Sequence, residues 1–153
     1  MKILLLAVGR IRSAPLRTLC EDFLGRIQRY GAMEIKEVKA ADGCDAAQAI
    51  FQEGTRLLDT IEPSDQIHIL DESGSGISSR ELSALIGRHE MRATKRLCFV
   101  LGGAYGLSQD VKARGKQLSL SKLTLPHELC RVLMLEQLYR ARTIQRGEPY
   151  HHG

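Results

Sequence analysis

The residues best suited to chemistry lie in the last third of the chain. An apolar run, Leu97 to Leu101, leads directly into Gly102-Gly103-Ala104-Tyr105-Gly106-Leu107. Glycines at the end of a buried strand let backbone amides approach a ligand with no Cβ in the way. A second short run ends in Ser121-Lys122-Leu123-Thr124-Leu125-Pro126, which exposes more backbone beside small and apolar side chains. The chain then closes on Pro149-Tyr150-His151-His152. Together these segments read as a cofactor cleft with a polar, aromatic flap facing a substrate. An imidazole moves protons near neutral pH, and a tyrosine offers a ring for stacking and a hydroxyl for orientation.

Other chemistries fit less well. Gly102-Gly103-x-x-Gly106 is not the G-x-G-x-x-G of dinucleotide folds, and no Gly-Lys-Ser/Thr follows it as in a phosphate loop. Cys20, Cys44, Cys98 and Cys130 form no C-x-x-C pair, so neither a zinc site nor a disulfide framework is expected. Cys20, Cys98 and Cys130 fall on apolar faces and read as inert core thiols. His127, His151 and His152 lack metal-ligand spacing.

The elements that must position these groups alternate between strand and helix. Strands are expected at Lys2–Val8, Met33–Val38, Gln66–Leu70, Arg96–Leu101 and Gln117–Leu120. Helices are expected after Ser13 as a cap, with Leu16, Leu19, Cys20, Phe23 and Ile27 at helical spacing, over Asp45–Ile61, and after the capping box Ser78-Ser79-Arg80-Glu81. A last helix runs from about Pro126 to Arg146. This alternation predicts one α/β domain over residues 1–153, with a mostly parallel sheet flanked by helices. Ligands in such sheets bind at the carboxyl ends of strands, where Leu70-Asp71, Gly102-Gly103 and Ser121–Pro126 all fall. The last helix is apolar on more than one face, through Leu129, Val132, Leu133, Leu135, Leu138, Tyr139 and Ile144. One sheet needs a single stripe, so the helix is either sunk in the core or shared with a second copy.

The 153 residues are 43% hydrophobic and 26% charged, with a formal net charge of +4. That composition is globular, and the charge is a mild bias toward polyanions. The run Ile3–Val8 is too short for a signal peptide and is followed by Arg10 and Arg12. No segment approaches the about 20 apolar residues of a membrane span.

Four segments, taken in order, resemble the SPOUT-class methyltransferases. They are Gly102 to Ser108; Leu123-Thr124-Leu125-Pro126-His127 with Arg131; Glu136-Gln137-Leu138-Tyr139-Arg140-Ala141; and Pro149-Tyr150-His151. Within that class the chain is similar to the small family that methylates N3 of a pseudouridine in bacterial 23S rRNA, from Met1-Lys2-Ile3-Leu4 to its end. The resemblance implies a C-terminal trefoil knot, a homodimer, and helix 69 of the assembled ribosome as substrate; the scattered, unpaired cysteines fit a reducing cytoplasm. It implies S-adenosylmethionine as cofactor, held by Leu70, Gly102, Gly103, Ser121, Lys122, Leu123, Thr124, Leu125 and Pro126. It places Arg140, Tyr150 and His151 at the catalytic end, without singling out the base. Position 105 is Tyr where some relatives carry an acid.

Methyl transfer from a sulfonium needs in-line alignment and an acceptor nitrogen that has lost its proton, and it needs no metal. His151 suits deprotonation of the N3 imide, Tyr150 suits stacking on the base, and Arg140 suits an anion. The plainer role of Arg140 is an ion pair with Glu136, four residues earlier. Arg10, Arg12, Arg17, Lys112, Arg114, Lys116 and Lys122 are the cations available to RNA. With no appended RNA-binding domain, binding to free rRNA is expected to be weak and salt-sensitive. A non-catalytic ribosome- or rRNA-binding assembly factor is the alternative of another class. A binder has no need of an imidazole beside an aromatic at the cofactor mouth. An NAD-type oxidoreductase is disfavoured by the missing glycine fingerprint.

Overall fold

The computed structural model describes residues 1–153. Its strands are β1 (Lys2–Val8), β2 (Met33–Val38), β3 (Gln66–Gly76), β4 (Arg96–Leu101) and β5 (Lys116–Ser119). They form one sheet in the order β2-β1-β4-β3-β5, with every pairing parallel. The helices are α1 (Ala14–Gln28), α2 (Ala46–Thr60), α3 (Ser79–Met91), α4 (Gln109–Lys112) and α5 (His127–Arg146). No helix is long and apolar enough to cross a membrane.

Parallel strands are covered on both faces, and the alternation of side chains along β1 shows how. Ile3, Leu5 and Ala7 join Cys20 and Ile27 of α1, Leu82 and Ile86 of α3, and Leu135 and Leu138 of α5. Leu4, Leu6 and Val8 join Leu57 of α2 and Val111 of α4 on the other face. Burial pushes the Cys20 thiol up to about 11 and the Cys98 thiol up to about 12, as expected of inert core cysteines.

Two local expectations are corrected. β3 does not stop at Leu70. Its pairing with β5 breaks after Leu70 and resumes at Ser75, so the chain bulges at Asp71–Gly74 and returns to the sheet. Gly74 permits that return, since a Cβ there would lie 2.7 Å from the Leu118 amide nitrogen. The composition Asp-Glu-Ser-Gly-Ser-Gly resembles a turn, which hides the strand. Ser13 precedes α1 but its side chain makes no capping bond; Asp45 and Ser78 do cap, at Gln48 N (2.8 Å) and Glu81 N (3.2 Å). The single turn α4, capped by Ser108, is too short to leave a helical period in the sequence.

The excess apolar surface of α5 is largely used within one chain. The helix lies between α1 and α3, burying Val132, Met134, Leu135, Leu138 and Ala141. Arg142 clamps it to α3 through Glu90, and Ser83 Oγ donates to Ala141 O at 3.0 Å. Leu129, which remains exposed, and the partly exposed Leu133 are left over.

His68 is the buried group with the clearest consequence for pH. It lies on β3, stacked on Phe99, with its Nε2 3.3 Å from Nε2 of His89 and its Nδ1 without a partner. Burial, with smaller contributions from His89, Lys116 and Arg88, pulls its pKa down to about 4. The native ring therefore stays neutral while the unfolded ring takes a proton below its ordinary value of about 6.5. Stability should fall as pH drops from about 6.5 toward 4, by roughly 3 kcal/mol from this group. Urea denaturation across that window checks this: His68→Leu should lose that part of the slope, and identical slopes in both proteins would refute it.

Candidate active site

The carboxyl ends of β3, β4 and β5 lie side by side and open into a cleft of about 800 Å³. The bulge after Leu70 forms one wall, Leu101 to Leu107 another, and Leu118 to Ser121 with Leu123 to His127 and Cys130 most of the rest. Of the nine residues nominated as cofactor ligands, Leu70, Gly102, Gly103, Ser121, Leu123, Thr124, Leu125 and Pro126 line this cleft. Lys122 is not part of the lining. Leu123 is 73% exposed, so it is not ordinary core.

The glycine loop is built by its own close packing. A Cβ on Gly102 would lie 2.8 Å from Gly106 O and 2.9 Å from Leu107 Cγ. A Cβ on Gly103 would lie 2.9 Å from Glu53 Oε2 and 3.1 Å from Val8 Cγ1. Gly106 has φ +86°, a conformation costly for other residues. A Gly103→Val side chain therefore strikes the wall behind the loop first, and acts on the cleft by displacing that loop.

The bulge carries charge that the sequence did not resolve. Lys112 Nζ of α4 lies 2.7 Å from Asp71 Oδ2, and Thr124 Oγ1 donates to Glu72 at 3.0 Å. Burial alone would raise the Asp71 pKa, but bonds from Lys112 and Ser73 outweigh it and hold the carboxyl below its usual range. Only its place at a strand end marked Asp71 in the sequence.

Arg140, Tyr150 and His151 form a second cluster outside the lining of the cleft. Arg140 Nη2 lies 2.5 Å from Glu136 Oε1, so its plainer role as an i, i+4 pair is present. The tail joins that pair: Tyr150 Oη donates to the same Glu136 oxygen at 3.1 Å, and His151 Nδ1 lies 3.5 Å from Arg140 Nη1. The Arg140 guanidinium also sits 4.7 Å from the Tyr150 ring centroid, and the Tyr150 ring packs edge-on against Tyr139. Hydrogen bonding to Glu136 raises the Arg140 pKa. Burial, with Glu136 second, raises that of Tyr150. Glu136 is the partner that the i, i+4 spacing gave to Arg140, and the structure adds its bond from Tyr150, which makes it the organiser of the cluster.

One stripe of α5 connects the two clusters. His127 and Cys130 line the cleft; Leu129, Leu133, Glu136, Gln137 and Arg140 continue the partly exposed face. From Cys130 to Arg140 the helix rises about 15 Å. Among the cations nominated for RNA, Arg10 and Arg12 are exposed beside the cleft, where Arg12 N donates to Glu128 Oε1 at 2.5 Å. Arg17 is spent on Ile11 O and Arg12 O, and Lys112 on Asp71. Arg114 precedes β5 and Lys116 opens it, at the opposite end of the strand from the cleft.

Residues 1–151 match the family model described as "Predicted SPOUT methyltransferase". The Ribosomal RNA large subunit methyltransferase H of Syntrophotalea carbinolica is 46% identical, over 99% of both chains. The protein of the same name from Gloeobacter violaceus is 40% identical over the full length of each. In fold, the chain is similar to a crystal structure described as a probable methyltransferase from Bordetella pertussis Tohama I. That match has a TM-score of 0.58 at 17% identity, covering 92% of this chain and 96% of the other.

Proposed function

We propose, from the premise that this chain belongs to the SPOUT methyltransferase family, that it is an S-adenosylmethionine-dependent rRNA methyltransferase. Its substrate is N3 of a pseudouridine in helix 69 of 23S rRNA on the assembled ribosome, and it works in the cytoplasm as a homodimer with a knotted C-terminal segment. The observation that carries this reading is the cleft at three adjacent strand ends, lined by eight of the nine residues nominated for the cofactor. The full-length relatives named as ribosomal RNA methyltransferases support the substrate class.

The residues present fit the cofactor. Gly102 and Gly103 pack too tightly on Gly106, Leu107, Glu53 and Val8 to hold a Cβ, and both line the cleft. Leu101, Leu118, Leu123 and Leu125 offer an apolar bed for adenine, and Glu72, which carries no ion pair, suits a cationic ligand. When bound, S-adenosylmethionine supplies an electrophilic methyl group. The chain's own task is to present the acceptor. Tyr150 stacks on and orients the base, and His151 accepts the N3 proton. Arg140, held by Glu136, stabilises the resulting imidate anion.

The tail cluster lies about 15 Å along α5 from the cleft within one chain. A two-fold axis crossing the exposed stripe near Leu133 would set one protomer's Arg140, Tyr150 and His151 against its partner's cleft. Leu129 and Leu133 supply the apolar contact. Co-expressing Gly103→Val with His151→Ala chains tests this arrangement. Sites shared between protomers should restore about a quarter of the wild-type sites, since half the dimers are mixed and each has one intact site. No recovery would overturn sharing. The function is tested by mass spectrometry of 23S rRNA from cells lacking the protein, and by transfer to purified ribosomes. Loss of N3-methylpseudouridine in those cells is expected; an unchanged nucleotide would refute the reading.

A further inference from the structure

Glu53 is a buried acid that the proposed reaction does not use. It lies on α2 and is only 5% exposed. Its Oε1 accepts a hydrogen bond from Ala41 N at 3.0 Å, but its Oε2 is buried with no partner. That oxygen faces the back of the cofactor loop, where a Cβ on Gly103 would lie 2.9 Å from it. The neighbouring Gly54 brings α2 equally close to the far end of the loop, where a Cβ would lie 2.5 Å from Ser108 Oγ. Glu53 and Gly54 thus form the floor beneath a loop whose other side lines the cleft.

A carboxylate in that position is costly to the fold. A buried acceptor without a donor destabilises the native state, and a charged one does so more. Glutamine has the same shape and could keep the bond from Ala41 without the charge. The local charge balance indicates what the carboxylate does. Among the charged groups lining the cleft, Lys112 is neutralised by Asp71, whereas Glu72 carries no ion pair. With Glu53 ionised behind the loop, the site holds two carboxylates, Glu53 and Glu72, that no cation pairs. Glu53 acts through less solvent than Glu72, so its field is the less screened of the two.

We propose that Glu53 is the charge-selecting residue of the cofactor site, favouring a ligand that bears a sulfonium over the neutral thioether left after transfer. This rests on the S-adenosylmethionine reading of the cleft. S-adenosylmethionine carries a sulfonium, an ammonium and a carboxylate, for a net +1. S-adenosylhomocysteine has lost the sulfonium charge and is neutral overall. A negative charge behind Gly103 discriminates between them and favours exchange of spent product for fresh cofactor. Glu53 acts through the loop and through its field, as a specificity-determining residue.

Calorimetric titration of wild-type, Glu53→Gln and Glu53→Asp proteins with both ligands tests this. A unit charge about 10 Å away, at an effective dielectric of about 20, changes affinity roughly tenfold. Glu53→Gln should therefore lose about tenfold in affinity for S-adenosylmethionine, with S-adenosylhomocysteine affected less than about twofold. The ligand-free Glu53→Gln protein should also melt at a higher temperature, because the unpaired charge is gone. Glu53→Asp, which keeps the charge, should keep the preference. Wild-type protein alone gives an independent measurement. An analogue with an ammonium in place of the sulfonium should bind about tenfold more tightly than S-adenosylhomocysteine. Equal losses for both ligands in Glu53→Gln would reduce Glu53 to a prop for the loop and overturn the proposal. Wild-type protein that binds neither ligand would overturn the cofactor reading itself, and the proposal with it.

Discussion

His151→Ala is expected to slow methyl transfer on ribosomes by about 10²–10⁴-fold, the usual worth of a positioned general base. Affinity for S-adenosylmethionine should stay unchanged, because no atom of His151 lines the cleft of its own chain. Tyr150→Ala should act on the same step, for two reasons. It removes the ring proposed to stack on the base, and it removes one of the two groups bonded to Glu136 Oε1. Arg140→Ala leaves Glu136 without its cation and deletes the guanidinium beside the imidazole. Because these side chains form one network, their effects should be strongly non-additive: Tyr150→Ala with His151→Ala should cost little more than the worse single change. The readout is single-turnover transfer at saturating cofactor. Wild-type rates in both tail variants would make Tyr150 and His151 a structural end, and the base would have to be sought at the cleft mouth, where His127 stands.

Arg131→Met is expected to destabilise the fold by about 3 kcal/mol, lowering the melting temperature by roughly 10 °C. Arg131 is 1% exposed, the largest fully buried side chain in the molecule. Its Nη1 donates to Glu37 at 2.6 Å, and its Nη2 donates to Val8 O at 3.1 Å and Gly9 O at 2.9 Å. One guanidinium therefore ties α5 to the carboxyl ends of β1 and β2. Methionine fills similar space but leaves those oxygens without a donor. Glu37 is 35% exposed and can recover water, which places the cost at the low end for a broken buried pair. Glu37→Gln should cost less for the same reason. Arg131→Lys should not rescue fully, because an ammonium lacks the planar fork that reaches three acceptors at once. Chemical denaturation of the three variants checks the ranking. An unchanged midpoint in Arg131→Met would show that the helix is held by apolar packing alone.

Periodicity and local chemistry determined most of the architecture. The alternation of apolar strands with 3.6-period helices was enough for a parallel α/β sheet. The Ser78–Glu81 capping box marked a helix start, because a cap is a contact between residues three apart, although Ser13, of the type that caps, makes no such bond. The glycine pair after Leu101 was legible because an apolar strand running into Gly-Gly is a local signal. Sequence also marked Tyr150, His151 and Arg140 by residue type and by resemblance.

Tertiary structure alone decided how these parts meet. The strand order β2-β1-β4-β3-β5, which sets three carboxyl ends side by side, depends on pairings between residues far apart in the chain. The continuation of β3 past Leu70 was hidden because Gly74 and Ser75 are turn residues by propensity, and only the neighbouring β5 backbone makes them a strand. The separation of the tail cluster from the cleft follows from the rise of α5, and Glu136 became its organiser only when the chain folded back after Gly147. Glu53 shows the limit most clearly. On paper it is an ordinary acid in an amphipathic helix, yet the approach of α2 to Gly103 buries one of its oxygens without a partner. Local sequence fixes what a residue can do within a few positions. Burial and distant pairing, which are properties of the whole fold, decide what it is left to do.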